Sequence, residues 1–459
     1  MQAKRHAVDM CNGPLFSKIV VFFIPVMLSN ILQLVYNAAD QIIVGKFAGA
    51  TSLAAVGSTA SLFNLITCLL IGLAVGVSSI SARHFGSRNR GALTRTVHTA
   101  VATSLLFGLV LGIIGFVFAK PLLALMGTPE SVLPKATLYM QILFAGLPFL
   151  AVFNFTSAIL RALGDTKRPM IFMIIAGLLN VLLNLLFVIV FKMGVAGVAL
   201  ATVLSQLLSA ILTVRCLTHT EEEYKLVIKN IKIHKAEFRQ IMQIGVPSGI
   251  QSAGFSLSNV FLQSAINSFG APAMTGCTAS SSVENLTYQS TNAFYHTILA
   301  FVGQNYGAGQ KKRIKKSVLY CMFLAIGIGL TIGCLCTVFG EWLLGLFIDK
   351  NTDPTFYKEA IAAGTERMKL ILPFYFLCGV MEVGTGALRA MNKSAISMIF
   401  SLTGACLLRV IWIYTIFAAK PTIATLFLSY PVTWIATSLF LYGAFIYYYK
   451  KLKPRNALQ

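Results

Sequence analysis

Charge is scarce in this chain, and acid scarcer still. Only 11% of its 459 residues are charged, and just 15 are Asp or Glu; soluble domains carry about 25% charged residues. With 56% hydrophobic residues and a mean hydropathy of +0.76, the composition excludes a soluble globular protein. Signatures of chemistry are missing as well. There is no HExxH, no Walker A sequence, no CxxC, no His cluster at metal-ligating spacing, and no nucleophile elbow in a suitable context. Those absences argue against a metallohydrolase, an ATP-driven pump and a redox protein, so the chain reads as a non-enzyme without cofactor. Its nine cysteines lie mostly in apolar segments, where they serve as small packing residues. The polar opening, Met1–Lys18, precedes an apolar run too long for a signal-peptide core.

What the chain has in abundance is apolar windows of about 20 residues, each long enough to cross a ~30 Å hydrocarbon layer. Charged and turn-rich breaks separate twelve, starting near Phe16, Leu53, Val97, Leu138, Met170, Ala196, Ile241, Met274, Val318, Met368, Ala395 and Ile423. The excess of base over acid gives a net charge of +22, and its placement is informative. Of 37 Lys and Arg, 27 fall in alternate connections and the two termini, nine on the opposite side, and Arg409 within a span. This is the positive-inside pattern. It predicts both termini in the cytoplasm and contact with anionic lipid, and removes any need for a nucleic-acid partner.

The second half repeats the first. Pro25 in "FFIPVMLSN" matches Pro247 in "QIGVPSGIQS", and "RHFGSRNR" matches "QNYGAGQK". "LPF" at 147–149 recurs at 372–374, and "LRAL" at 160–163 returns as "LRAM" at 388–391. Four matches in one order, at offsets of 221 to 228, define parallel repeats of the transporter type. The expected fold is all-α and integral to the membrane, with twelve transmembrane helices in two six-helix bundles. The bundles would occupy residues 1–216 and 239–459, joined by a cytoplasmic linker at 217–238.

An ionised carboxylate inside lipid costs at least about 2.5 kcal/mol, so an acid retained there marks function. Only Asp40, Glu284 and Glu382 lie within the spans. Asp40 ends a polar stripe of Asn30, Gln33 and Asn37, which share one helical face at 3.6 residues per turn. Span 7 repeats the stripe as Ser252, Ser256, Asn259 and Gln263, and span 8 carries Glu284, Tyr288, Thr291 and Tyr295. Asn180 and Asn184 lie one turn apart in span 5. Such faces must turn toward protein or water, and together they predict a wet cavity between the bundles. Arg409 reads either as the counter-charge of Glu382 or as a satisfied helix junction, and His296 as a hydrogen-bonded packing residue. "GLAVGVSS" at 72–79 signals close helix approach, not a phosphate cradle.

The span-1 block from Phe22 to Gly49, "LRALGDTKRPM", "LLNVLLNLLF", "GVAGVALATVLSQ" and "SYPVTWI" resemble the bacterial multidrug and toxic compound extrusion (MATE) family over essentially the whole chain. The resemblance implies a cation-coupled antiporter of the inner membrane that exports small organic cations by alternating access, in exchange for H⁺ or Na⁺. Its span-1 acid falls on Asp40, its span-5 asparagines on Asn180 and Asn184, and its late acid on Glu382. Cation- and substrate-binding candidates are therefore Asp40, Asn37, Gln33, Tyr36, Asn180, Asn184, Glu284 and Glu382, with Na⁺ placed at Asp40 or at Glu284/Glu382. The chain departs from the family at span 7, where Phe255 stands near the place of a glutamate; Glu284 is the available substitute. A monomer is expected. The alternative is a flippase for lipid-linked precursors on the same two-bundle plan, which would favour a cationic cavity.

Overall fold

The computed structural model describes residues 7–222, 224–349 and 353–452, and almost all of them are helical. Twelve rods follow in chain order. The first six are α1 (Leu15–Ala48), α2 (Ala50–Gly86), α3 (Arg90–Leu125), α4 (Leu133–Ala145 with Leu147–Ala162), α5 (Lys167–Val190) and α6 (Gly194–Thr218). The second six are α7 (Lys235–Asn267), α8 (Ala271–Gly307), α9 (Lys311–Val338), α10 (Pro354–Ala390), α11 (Ser394–Phe417) and α12 (Ile423–Lys451). Nine of these are long and apolar enough to cross a membrane among the described residues, and α4, bent by 46° at Gly146, makes ten. The remaining two, α7 and α8, have 33 and 37 residues and the length of a span. Their serines, threonines and asparagines lower their hydropathy.

The helices pack as two compact units, and each takes part of two rods. One comprises Leu28–Gly249 with residues 7–9; the other, residues 10–27 with those from Ile250 onward. The boundary thus falls inside α1 and inside α7, each close to its repeated proline, Pro25 or Pro247, rather than at the linker.

In the first unit, α2 meets the start of α7 at backbone contact. A Cβ on Gly72 would lie 2.4 Å from the Gly249 nitrogen, and one on Gly76 would lie 2.5 Å from the Ile241 carbonyl oxygen. The glycines of "GLAVGVSS" are therefore a packing seam. The segment between α6 and α7 is strapped onto α3. The Val227 N–H donates to His98 Nε2 at 3.1 Å and the His234 N–H to Thr99 Oγ1 at 3.1 Å, while Leu226 is buried. His98 Nδ1 lies 2.7 Å from the Thr94 carbonyl oxygen, which fixes the neutral Nδ1–H tautomer. Arg95 Nε closes the strap on Glu237 at 2.6 Å.

In the second unit, α10 begins at Pro354, capped by Asp353, whose Oδ2 accepts from the Thr355 and Phe356 N–H groups. The span was expected to begin near Met368; its charged first turns had hidden it. The consequence is that Arg367, expected outside the membrane, sits inside the helix and is 2% exposed.

Candidate functional site

Asp40 lies in the last α-helical turn of α1, and the next residues, Val44–Ala48, form a π-helical turn. Facing it, α5 changes to π geometry directly after Asn184, at Leu185–Val190. π-Turns widen a helix and re-aim its side chains, and they concentrate at functional sites. Here the two π-turns bring Val44 and Val188 into one apolar cluster with Ile43 and Val198, and that cluster adjoins the carboxylate.

The Asp40 carboxylate is held from two other helices. Asn184 Nδ2 donates to Oδ1 at 2.5 Å, and the Thr202 hydroxyl of α6 makes a second hydrogen bond. Asn184 also donates to Asn180 Oδ1 at 3.2 Å, so both amide hydrogens are used while its buried Oδ1 has no hydrogen-bond partner. The polar groups gathered here, from Asp40, Asn180, Asn184 and Thr202, are one carboxylate and three uncharged side chains. Tyr36 docks rather than lining the cluster. Its ring lies against Gly177, where a Cβ would come within 2.0 Å of Cζ, and its hydroxyl reaches the Ile174 carbonyl at 3.4 Å. Gln33 and Asn37, on the same helix as Asp40, are exposed.

Of the sequence candidates, the structure gathers Asp40, Asn180 and Asn184, adds Thr202, and assigns Tyr36 to helix contact. Thr202 lies in "GVALATV" among alanines and valines, and its hydroxyl also returns to the Val198 carbonyl at 3.0 Å. Nothing in that pattern distinguished it from an ordinary helix threonine.

The second unit is built on arginine. Glu284 is ion-paired with Arg367, and Tyr375 Oη donates to its Oε1 at 3.3 Å. Arg367 also donates to Ser280 Oγ at 2.7 Å and stacks over the Phe427 ring at 5.0 Å. Glu284 thus has a permanent counter-charge. Near the end of α10, Arg389 donates to Tyr295 Oη at 2.5 Å and to Gln251 Oε1 at 2.8 Å. Glu382, two turns earlier on α10, has no hydrogen bond or ion pair among the described residues and is only partly buried.

Arg409 is 4% exposed and makes no ion pair with Glu382 or any other described acid. It stacks over Tyr430 at 4.1 Å and donates one long bond to Thr433 Oγ1 at 3.4 Å, and its buried Nε has no acceptor. A desolvated cation–π contact is worth about 2 kcal/mol, whereas burying a charge costs several kcal/mol. The guanidinium is under-compensated. No group of three or more His, Cys, Asp and Glu side chains suited to a metal occurs among the described residues.

The MatE family model matches residues 25–186 and 247–415, once in each half. The chain is 30% identical over 407 residues to "Probable multidrug resistance protein YpnP" of Bacillus subtilis, covering 88% of each. It is 24% identical to the "FAD transporter" of Shewanella oneidensis over 420 residues, again 88% of each. Its fold matches a solved outward-facing multidrug resistance MATE transporter with a TM-score of 0.89 at 23% identity, over 98% of this chain and 100% of that one. Two matches of one family model, a 30% identical relative along most of its length and a shared twelve-helix fold place this polypeptide in the MATE family of membrane transporters, and it is not an enzyme.

Proposed function

We propose that the protein is a cation-coupled antiporter that exports small organic cations and drugs across the cytoplasmic membrane by alternating access. The basic connections and both termini face the cytoplasm in this reading, and the working unit is a monomer. The observation that carries it is the Asp40 cluster, a membrane carboxylate held by neutral donors alone, Asn184 and Thr202. A carboxylate without a fixed cationic partner can exchange a proton, Na⁺ or a cationic substrate. Competition between ion and cargo for one such group is the minimal antiport cycle. The orphaned Asn184 Oδ1 supports a bound cation, because an alkali ion would satisfy it where a hydrogen-bond donor does not.

Glu284 has the opposite character. Its charge is committed to Arg367, so it serves the packing of α8 against α10, and Glu382 is the exchangeable acid of the second unit. Inward transfer of one charge releases about 2.3 kcal/mol per 100 mV; export of a monovalent cation consumes the same amount, so a one-for-one exchange is driven by the concentration gradient of the coupling ion.

Dye transport into everted vesicles, whose lumen corresponds to the cell exterior, driven separately by imposed ΔpH and ΔNa⁺, tests the reading. Asp40→Asn should insert normally and lose efflux under both gradients. Wild-type efflux rates in that variant would end it. Equal transport of lipid-linked pyrophosphates by wild type and Asp40→Asn, with no dye efflux in either, would favour the flippase alternative.

A further inference from the structure

Where the start of α11 meets the end of α12, the second unit has an open groove of about 520 Å³. Ile396, Ile399 and Phe400 line it from α11, and Phe440, Ala444 and Tyr447 from α12. Its walls are apolar or aromatic throughout, and Ile399, Phe440 and Tyr447 are each about half exposed. Phe400 and Phe440 face each other across it, with ring centroids 5.8 Å apart. Gly443 also lines the groove, and a Cβ built there would meet no atom within 4 Å. The hollow exists because neither helix fills it.

One end of the groove is basic. Lys393 precedes Ile396 and Phe400 at steps of three and four, and Lys451 follows Phe440, Ala444 and Tyr447 at steps of four, three and four. Such spacing puts each lysine on the face of its helix that lines the groove. The Lys393 ammonium lies 4.6 Å from the ring centre of Tyr448. The Lys451 ammonium lies 4.2 Å from that of Tyr447 and donates to its hydroxyl at 2.5 Å. The two tyrosine rings meet edge to face at 5.1 Å, which gathers both ammoniums at one mouth. Neither lysine pairs with a carboxylate among the described residues, and no Asp or Glu follows Glu382 in the sequence. Lys311 is different, because the Lys450 and Leu452 carbonyl oxygens already hold it.

We propose that this groove is a binding site for one membrane phospholipid with an anionic headgroup, its acyl chain laid between α11 and α12 and its phosphate held by Lys393 and Lys451. The dimensions agree with that occupant. At about 1.5 Å per residue, Leu439 to Tyr448 spans about 14 Å, close to the roughly 15 Å of hydrocarbon in one leaflet. Lys451 stands another ~5 Å along the helix, at headgroup depth. The tyrosine pair lies between the two zones, where amphipathic rings favour the boundary. Lysine binds phosphate as a point charge without demanding one orientation, which suits a headgroup already tethered by its own chain. A zwitterionic lipid offers the same chain but carries its own ammonium beside the phosphate, so it gains less from the two lysines. A second copy of the protein fits this face poorly, since a two-fold contact would set the same lysines against each other.

Native mass spectrometry of the full-length protein tests the site. The protein in detergent receives equal amounts of phosphatidylglycerol and phosphatidylcholine with matched chains, and the lipids it retains are counted. Wild type should keep one phosphatidylglycerol with a several-fold preference. A lysine beside an anionic surface contributes roughly fivefold in affinity, so Lys393→Gln with Lys451→Gln should cut that preference by about tenfold or more. Lys312→Gln with Lys315→Gln removes two exposed lysines of α9 and should leave it within about twofold. Gly443→Phe fills the groove from open space. It should lower retention of both lipids several-fold while melting like wild type in lipid-free detergent. Equal retention of the two lipids by wild type would overturn the proposal, as would equal effects of the two lysine pairs. Undiminished phosphatidylglycerol binding in Gly443→Phe would show that the groove holds no chain, and overturn it too. Displacement of the lipid by millimolar glycerol 3-phosphate would assign the lysines to a soluble anion, and a dimer that Gly443→Phe dissociates would assign the groove to a second copy; either result overturns the lipid site. Retention is read without gradient or cargo, so its failure leaves the transporter reading standing.

Discussion

Replacing Arg367 with methionine should destabilise the second unit by about 3–5 kcal/mol, the usual consequence of leaving one member of a buried ion pair without the other. The structure justifies the upper part of that range. The side chains of Arg367 and Glu284 are 3% and 15% exposed, and the variant also loses the Ser280 bond and the stack on Phe427. For a unit of roughly 200 residues, about 2–4 °C of Tm accompanies each kcal/mol, so a drop of roughly 6–20 °C is expected in a thermal size-exclusion assay. The informative variant is the double one. Arg367→Met with Glu284→Gln leaves no uncompensated charge and should recover most of the loss, because an apolar replacement for a buried pair is often near neutral. If Glu284 is only a counter-charge, that double variant also retains gradient-driven dye efflux. A double variant as unstable as the sum of the singles would show that the pair is not coupled. A stable double variant without efflux would return Glu284 to the transport cycle and refute the division between it and Asp40.

Two further tests address how the first unit is held. Gly177→Val forces a methyl into the ring of Tyr36 and should cost about 1–3 kcal/mol by overpacking, with loss of efflux through displacement of Asp40 from Asn184; the added change Tyr36→Ala should restore thermal stability in the same size-exclusion assay. His98→Ala removes the acceptor of the Val227 N–H, so the segment around Lys225 and Lys229 should be cut by trypsin several-fold faster than in wild type, while His98→Gln keeps an acceptor and should slow the cut again.

Much of this protein was legible in one dimension. Lipid penalises charge and unsatisfied backbone so heavily that hydropathy, the basic connections and the repeated motifs were enough to fix twelve helices in two related halves. The same penalty singled out Asp40, and one helical turn tied Asn180 to Asn184. Contacts between helices distant in sequence were not legible. Thr202 looked like any helix threonine until α6 was laid beside α1, Tyr36 became a docking residue only because Gly177 lies opposite, and the helices divide at Met27 and Gly249, where no composition changes. Arg367 shows the limit most plainly. Lys358, Glu359, Glu366 and Lys369 around it made its stretch read as an external loop, yet packing of α10 against α8 buries it on Glu284. Sequence therefore determined which residues had to avoid lipid, because transfer cost is a property of each side chain. Only the tertiary structure decided which of them neutralise one another and which remain free, because pairing depends on the few ångströms between helices.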